Sequence, residues 1–184
     1  MLKKPLILAS SSSIRQTLLK KITPDFTIIP AHINERMYPP LAALELAKAK
    51  ALHVSKNYPE HWVIGADQIC HLNYKVFHKP ETIENAIKTL MQLNGQTHTL
   101  KTAVSIAHNN KILWSLCENI ELTMKSLTND EITHYINRDL PLNSCGAYKY
   151  ESLGKTLFKS VSHDSTAIQG LPLKPLSKIL TSLN

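Results

Sequence analysis

The sequence is poor in cysteine, glycine and aromatic residues, with three cysteines, five glycines and 6% aromatic residues among 184. The cysteines, Cys70, Cys117 and Cys145, are far apart and have no CxxC spacing. This pattern speaks against a disulfide framework and against a thiolate metal site. It indicates reduced thiols in a cytoplasmic protein, each serving as a small buried apolar residue.

Several catalytic signatures are also missing from the chain. It has no GxGxxG turn, no P-loop, no HExxH pair and no GxSxG elbow. These absences disfavour a dinucleotide-binding turn, a Walker NTPase, a histidine-built zinc site and an α/β-hydrolase. No apolar run approaches the roughly 20 residues that a membrane helix needs, so we expect a cytoplasmic protein without a membrane span.

The net charge and the apolar content indicate the class of protein and its partners. A net charge of +7 indicates affinity for anions such as nucleotides. Lysine and arginine are spread along the chain and aromatics are few, so we expect no stable nucleic-acid partner. The length and the 43% apolar content fit one globular domain over residues 1–184, without repeats or linkers.

Apolar periodicity predicts an α/β fold with a mixed sheet. Strands are predicted at 5–9, 26–29, 62–66, 97–107, 111–116, 119–125 and 156–161. Helices are predicted at 14–22, at 41–54, from Pro80 to Asn94, at 128–136 and after Gly170. Asp67 is predicted to stand at the end of the third strand, with its continuation through 69–72 left open, and Lys79 just before a helix that Pro80 opens.

The stretch from Leu6 to Arg15 combines a short apolar strand, four serines and the start of a helix. Free backbone N–H groups and hydroxyls at such a turn favour an anion. A cation in the first helical turn opposes the helix dipole, so Arg15 suggests an anionic partner. The alternative is a plain serine N-cap followed by a solvent-facing arginine.

Three further residues are candidates for chemistry. Asp67 suits a general base acting on water or a metal ligand, although an aspartate that caps a turn is equally compatible. Lys79 suits phosphate oxygens, and Glu35 suits a second carboxylate for a divalent cation. Both have the alternative of an ordinary solvated surface charge.

Motifs along nearly the whole chain occur in a specific order: LILASSSSIRQTLL, IGADQIC, HKPET, LNGQTHTLKTAVSI, CGAYKYESLG and QGLPL. In this order they resemble the Maf-like nucleotide pyrophosphatase family. The resemblance implies an elongated mixed β-sheet flanked by helices, with two lobes around a deep cleft, as in Maf and ITPase-like proteins. It also implies hydrolysis of a nucleoside triphosphate between the α- and β-phosphates, with Mg²⁺ or Mn²⁺ as the cofactor.

The resemblance carries roles to matching positions. Asp67 matches the proton acceptor and, with Glu35, the metal-binding carboxylates, whereas Lys79 matches a phosphate-facing catalytic lysine. The substrate phosphates are assigned to Ser10, Ser12, Arg15 and Lys50. The oligomeric state is left open, with a homodimer allowed.

Substrate choice in the family is tied to positions matched here by Ile14, Gln68 and Glu151. Gln68 and Glu151 resemble the branch that acts on 7-methyl-GTP. A carboxylate is a suitable acceptor for the N1–H and N2–H₂ donors of a positively charged methylated guanine.

Five positions depart from the family pattern: Ser13, Ile14, Gln16, Asn34 and His78. We expect activity to survive these changes because Ser10, Arg15, Asp67 and Lys79 remain. Two alternatives stay open. One is a dTTP- or UTP-preferring enzyme of the same family, and the other is a non-catalytic regulator that binds nucleotides or nucleic acid.

Overall fold

The structure is a computed structural model that describes residues 3–183. Its strands are Leu6–Leu8 (β1), Thr27–Ile28 (β2), Trp62–Leu72 (β3), Lys75–Phe77 (β4), Thr97–His108 (β5), Lys111–Met124 (β6) and Phe158–Val161 (β7). Its α-helices are Ser13–Lys20 (α1), Ala43–Ser55 (α2), Ile83–Leu93 (α3), Asn129–Asp139 (α4), Ser165–Ile168 (α5) and Leu173–Ser182 (α6). Short 3-10 turns occur at Glu35–Met37, Cys145–Ala147 and Leu153–Leu157.

The seven strands form one mixed sheet in the order β2-β1-β3-β5-β6-β7, with β4 paired to β3. The pairs β1–β2 and β1–β3 are parallel, whereas β3–β4 and β6–β7 are antiparallel. The predicted α/β class with a mixed sheet is therefore confirmed.

The residues group into two compact units, and β3, β5 and β6 each contribute to both. The first unit contains the chain up to Asp67, Thr102–Glu118 and the segment from Gly170 onward. Its core combines β1 and the first half of β3 with the buried faces of α1 and α6, including Leu8, Leu18 and Leu176. β1 and the first half of β3 are buried on both faces, as their continuous apolar runs indicate, whereas α1 and α6 each bury one face.

The second unit contains Gln68–Lys101 and Asn119–Gln169. Its core includes buried residues of α3, α4 and β6, such as Leu90, Ile136 and Leu122. Among these apolar side chains lies His98, whose Nε2 is 2.9 Å from the hydroxyl oxygen of Tyr148. The residues of the predicted CGAYKYESLG motif belong to this unit.

Local signals place many element ends correctly. The side chain of Ser12 caps α1 by accepting a hydrogen bond from the Arg15 N–H, at 3.4 Å. Thr128 and Glu131 form a capping box at the start of α4, as their spacing predicts. The turns after β3 and β5 have left-handed residues at their centres, Asn109 and Asn110 in the second case.

β3 does not end at Asp67 but takes the continuation that the sequence left open at 69–72, because β4 pairs with its second half and places Phe77 opposite Cys70. One predicted strand boundary is wrong. The runs at 111–116 and 119–125 are one strand, β6, and no break occurs at the polar residues between them.

The predicted start of α3 is also wrong. Pro80 does not open the helix: Thr82 is the N-cap, and its hydroxyl accepts from the N–H of Asn85 at 3.2 Å. Glu81 has a left-handed φ of 65°, and its N–H donates to the carbonyl of Leu142 at 3.1 Å. This tertiary hydrogen bond holds the residue out of the helix, so Lys79 does not stand immediately before a helix N-terminus.

The cysteine prediction holds in part. Cys70 is buried, as expected, but Cys117 and Cys145 are partly exposed. No disulfide joins the three. In the chain between Lys3 and Leu183, no helix has both the length and the apolar character that a membrane crossing requires.

Candidate active site

Three charged side chains of the first unit meet at one point. The Lys50 Nζ lies 2.6 Å from Asp67 Oδ1 and 2.7 Å from Glu35 Oε1. The Lys50 and Asp67 side chains are only 12% and 10% exposed, whereas Glu35 is 56% exposed. A buried charge needs a partner, and here one ammonium is shared by two carboxylates.

The fold brings these residues together through a close approach of α2 to β3. Lys50 lies on α2, and Asp67 lies two residues after Gly65 on β3. A Cβ atom on Gly65 would lie 2.2 Å from the Ala47 carbonyl oxygen and 2.6 Å from the Ala51 nitrogen. Only glycine permits this spacing, which lets Lys50 reach the carboxylate of Asp67.

Burial has the largest effect on Asp67. It raises the pKa of the carboxyl above its usual value, although the positive charges of Lys50 and Arg15 act in the opposite direction. Glu35 adds a smaller effect that also raises the pKa. A carboxylate with a raised pKa is a better proton acceptor than a solvated one, which suits a general base.

The predicted phosphate turn is organised by hydrogen bonds around Ser10, which is 8% exposed. The Ser10 hydroxyl oxygen accepts from the Ser12 N–H at 3.2 Å and from the Arg15 Nη1 at 3.4 Å. Arg15 also donates from Nη1 to the Ala66 carbonyl at 2.9 Å and from Nε to the Gly170 carbonyl at 3.0 Å. These carbonyls give Arg15 a structural reason for its place in the first turn of α1.

The serine turn and the carboxylates are thus linked within the first unit. Arg15 bonds Ser10 on one side and Ala66, the neighbour of Asp67, on the other. Ile14 is half-buried and packs against the core of this unit. Of the predicted site residues, the structure brings together Ser10, Ser12, Arg15, Glu35, Lys50 and Asp67.

The remaining predicted residues lie in the second unit. Lys79 is exposed in the segment between β4 and α3, where it lines a cavity of about 300 Å³ with Lys75 and Lys88. Gln68 donates from Nε2 to the Ile168 carbonyl at 2.9 Å. It also accepts, at Oε1, a hydrogen bond from the Cys145 thiol at 3.7 Å.

Glu151 is exposed at the end of a loop that α4 supports. The hydroxyl oxygen of Tyr135 accepts from the Lys149 N–H at 3.0 Å. The Lys149 Nζ donates to the Asp139 carbonyl at 2.6 Å. Sequence reasoning missed this support and the role of Gly65; a glycine inside a strand was the available signal for the second.

The donor set fits a divalent cation that also binds a substrate. Across the described residues, no group of three or more His, Cys, Asp or Glu suits a metal ion. Glu35 and Asp67 nevertheless direct one oxygen each at a common point. Mg²⁺ is typically held by one or two carboxylates together with phosphate oxygens and water, and two carboxylates meet that need.

A HAM1 protein from Coxiella burnetii has a similar fold, with a TM-score of 0.54 and 16% sequence identity, over 99% of this chain and 100% of that chain. The Ham1 protein of Staphylococcus aureus has a TM-score of 0.53 at 15% identity, over 98% of this chain and 100% of that chain. At these identities the likeness supports the fold alone.

Sequence comparison gives a closer relationship. A nucleoside triphosphate pyrophosphatase of Legionella pneumophila (strain Lens) is 42% identical, over 98% of this chain and 94% of that protein. A 7-methyl-GTP pyrophosphatase of Rhizobium etli is 40% identical, over 93% of this chain and 92% of that protein. The family model described as Maf-like protein matches residues 5–183. Because this match spans nearly the whole sequence, the chain belongs to the Maf-like family.

Proposed function

We propose that this protein hydrolyses nucleoside triphosphates between the α- and β-phosphates, releasing a nucleoside monophosphate and pyrophosphate, and that it prefers 7-methyl-GTP. The activities after which its relatives are named support the reaction class. The observation that carries the proposal is the buried Asp67 carboxylate, whose partner Lys50 also contacts the more exposed Glu35. This is a proton acceptor set among positive charges, as phosphoanhydride hydrolysis requires.

In the proposed step Asp67 is the general base. It accepts a proton from a water molecule as the water oxygen forms a bond to phosphorus. The bridging P–O bond breaks, and pyrophosphate leaves with the electron pair of that bond. The raised pKa of Asp67 favours proton transfer at this point.

The serine turn binds the phosphates. Ser12 and Arg15 both donate hydrogen bonds to the Ser10 oxygen, so the hydroxyl retains its own hydrogen for a phosphate oxygen. Ser12 caps α1 and keeps the turn in shape. Arg15 fixes the Ser10 hydroxyl and adds positive charge, and Lys50 and Lys79 supply further ammonium groups for the phosphates.

Glu35 and Asp67 would hold the divalent cation, Mg²⁺ or Mn²⁺. When bound, the cation supplies positive charge that offsets the negative charge developing on the phosphates. We propose that residues 1–184 act as one cytoplasmic catalytic domain, alone or as a homodimer.

The preference for 7-methyl-GTP is assigned to Gln68 and Glu151, with Ile14 shaping the site. Glu151 is exposed on a loop held by Tyr135, so its carboxylate is free to accept from the donors of a guanine edge. Gln68 acts indirectly, because its side-chain amide donates a hydrogen bond that holds the backbone at Ile168.

The reaction is tested by pyrophosphate release with Mg²⁺ from a panel of standard nucleoside triphosphates, dTTP, UTP and 7-methyl-GTP. Highest kcat/KM for 7-methyl-GTP supports the whole proposal. Preference for dTTP or UTP keeps the reaction and refutes the assignment of Gln68 and Glu151. Nucleotide binding without any turnover identifies a non-catalytic regulator instead.

The role of Asp67 is tested by Asp67→Asn. The amide has nearly the same size but accepts no proton at neutral pH, so we expect kcat to fall at least a thousandfold while the fold is retained. Circular dichroism and thermal unfolding check the fold. A variant with near-normal kcat would remove Asp67 from the mechanism.

A further inference from the structure

The position of Lys50 has a consequence for metal binding. Its ammonium lies where the oxygens of Glu35 and Asp67 converge, at 2.7 and 2.6 Å. The Lys50 side chain is 12% exposed, so the nitrogen is largely shielded from water. Both carboxylates are therefore already bonded to a cation that belongs to the protein.

A divalent cation held by the same two oxygens, Glu35 Oε1 and Asp67 Oδ1, needs the same point. Mg²⁺–oxygen distances are about 2.1 Å, so each oxygen moves inward by about 0.5 Å from its present contact with nitrogen. An ammonium cannot remain between the same two oxygens, because the positive charges repel at such short range. Occupation by Lys50 and occupation by the cation therefore exclude each other.

A triphosphate changes this balance, which rests on the proposed function. Its phosphate oxygens offer the Lys50 ammonium another set of negative partners, as the resemblance to the family implies. Withdrawal of Lys50 toward the phosphates takes the shared ammonium away from Glu35 and Asp67, although the positive charge of Arg15 still acts on Asp67. The two carboxylates then favour a divalent cation.

We propose that Lys50 is a built-in cation that closes the metal site of the free protein, so that metal binds with the nucleotide rather than before it. Lys50 thereby holds the two carboxylates in position and keeps them from binding metal until a nucleotide is present. The same lysine opposes metal binding in the free protein and supports nucleotide binding.

The first test measures Mn²⁺ binding without nucleotide, from the electron paramagnetic resonance signal of free Mn²⁺. We expect Lys50→Met to bind Mn²⁺ at least tenfold more tightly than the wild type. Lys48→Met is the matched control, because Lys48 lies two residues away on α2 and its replacement removes the same charge. Its affinity should stay within twofold of the wild type, and equal affinities for the two variants would overturn the proposal.

The second test measures the opposite effect on nucleotide. The ligand is a GTP analogue with a methylene bridge between the α- and β-phosphates, titrated by calorimetry in EDTA. Lys50→Met should bind it at least tenfold more weakly than the wild type does. If Lys50 had only a structural role, Lys50→Met would bind both Mn²⁺ and the analogue more weakly. Unchanged binding of the analogue would refute withdrawal of Lys50 toward phosphate.

Removing Lys50 leaves two carboxylates close together and one of them buried. Lys50→Gln keeps a hydrogen-bond donor for them and is the second variant, with thermal unfolding in EDTA as the check of its fold. The same gain in Mn²⁺ affinity is expected for it, and its absence in a folded Lys50→Gln counts against the proposal. If the wild type turns over no nucleotide but Lys50→Met still gains Mn²⁺ affinity, the closed site stands and the proposed function fails.

Discussion

Gly65→Ala tests whether the contact between α2 and β3 sets the geometry of the site. The new Cβ would lie 2.2 Å from the Ala47 carbonyl oxygen and 2.6 Å from the Ala51 nitrogen. Ordinary contacts between such atoms are about 3.5 Å, so α2 has to move by about 1 Å. Both contacts are backbone atoms, so a rotamer change cannot relieve them, and we expect a loss of about 1–3 kcal/mol in the free energy of unfolding.

The displacement also reaches the residues of the proposed site. Lys50 lies between Ala47 and Ala51 on α2, and its ammonium is 2.6 Å from Asp67. A misplacement of about 1 Å can cost about a hundredfold in rate, so kcat should fall by about that factor. Urea unfolding and pyrophosphate release measure the two effects on the same preparation.

Gly95→Asn is the control, because it also replaces a glycine but lies in the second unit. Gly95 has a φ of 70°, which asparagine tolerates, and a Cβ there would meet only the Ser126 hydroxyl, at 3.3 Å. We expect a change of less than about 1 kcal/mol and unchanged kcat. A Gly65→Ala protein with the stability and kcat of the wild type would show that α2 does not depend on this close approach.

Three other predictions concern pH, specificity and helix capping. Burial lowers the pKa of His98 to about 4 from 6.5, so the unfolded chain binds the proton first and stability falls by about 3 kcal/mol as the pH drops from 6.5 to 4. Urea unfolding across this range gives the free energy of unfolding as a function of pH. Its slope should be flatter for His98→Phe and unchanged for His134→Gln, which alters an exposed side chain. Equal slopes for the wild type and both variants would contradict this role of His98. Glu151→Gln should lower kcat/KM for 7-methyl-GTP more than for GTP, and an equal loss on both would exclude a role in base choice. Thr128→Ala should cost about 1 kcal/mol by removing the capping box of α4, and an unchanged urea midpoint would argue against that box.

The sequence alone determined the features that depend on neighbours along the chain. The Ser12 cap, the Thr128–Glu131 capping box and the Asn109–Asn110 turn follow from hydrogen bonds that span only a few residues. Apolar periodicity likewise determined the α/β class, because one face of each helix or strand has to be buried. The order of motifs along the chain indicated the family.

Tertiary structure decided how the site is assembled. Lys50 meets Glu35 and Asp67 because α2 packs against β3 at Gly65, and no local pattern gives that spacing. Arg15 bonds the carbonyl of Gly170, which is 155 residues away. Such contacts depend on which elements become neighbours in the folded chain, and local hydrogen-bonding preferences do not contain that information.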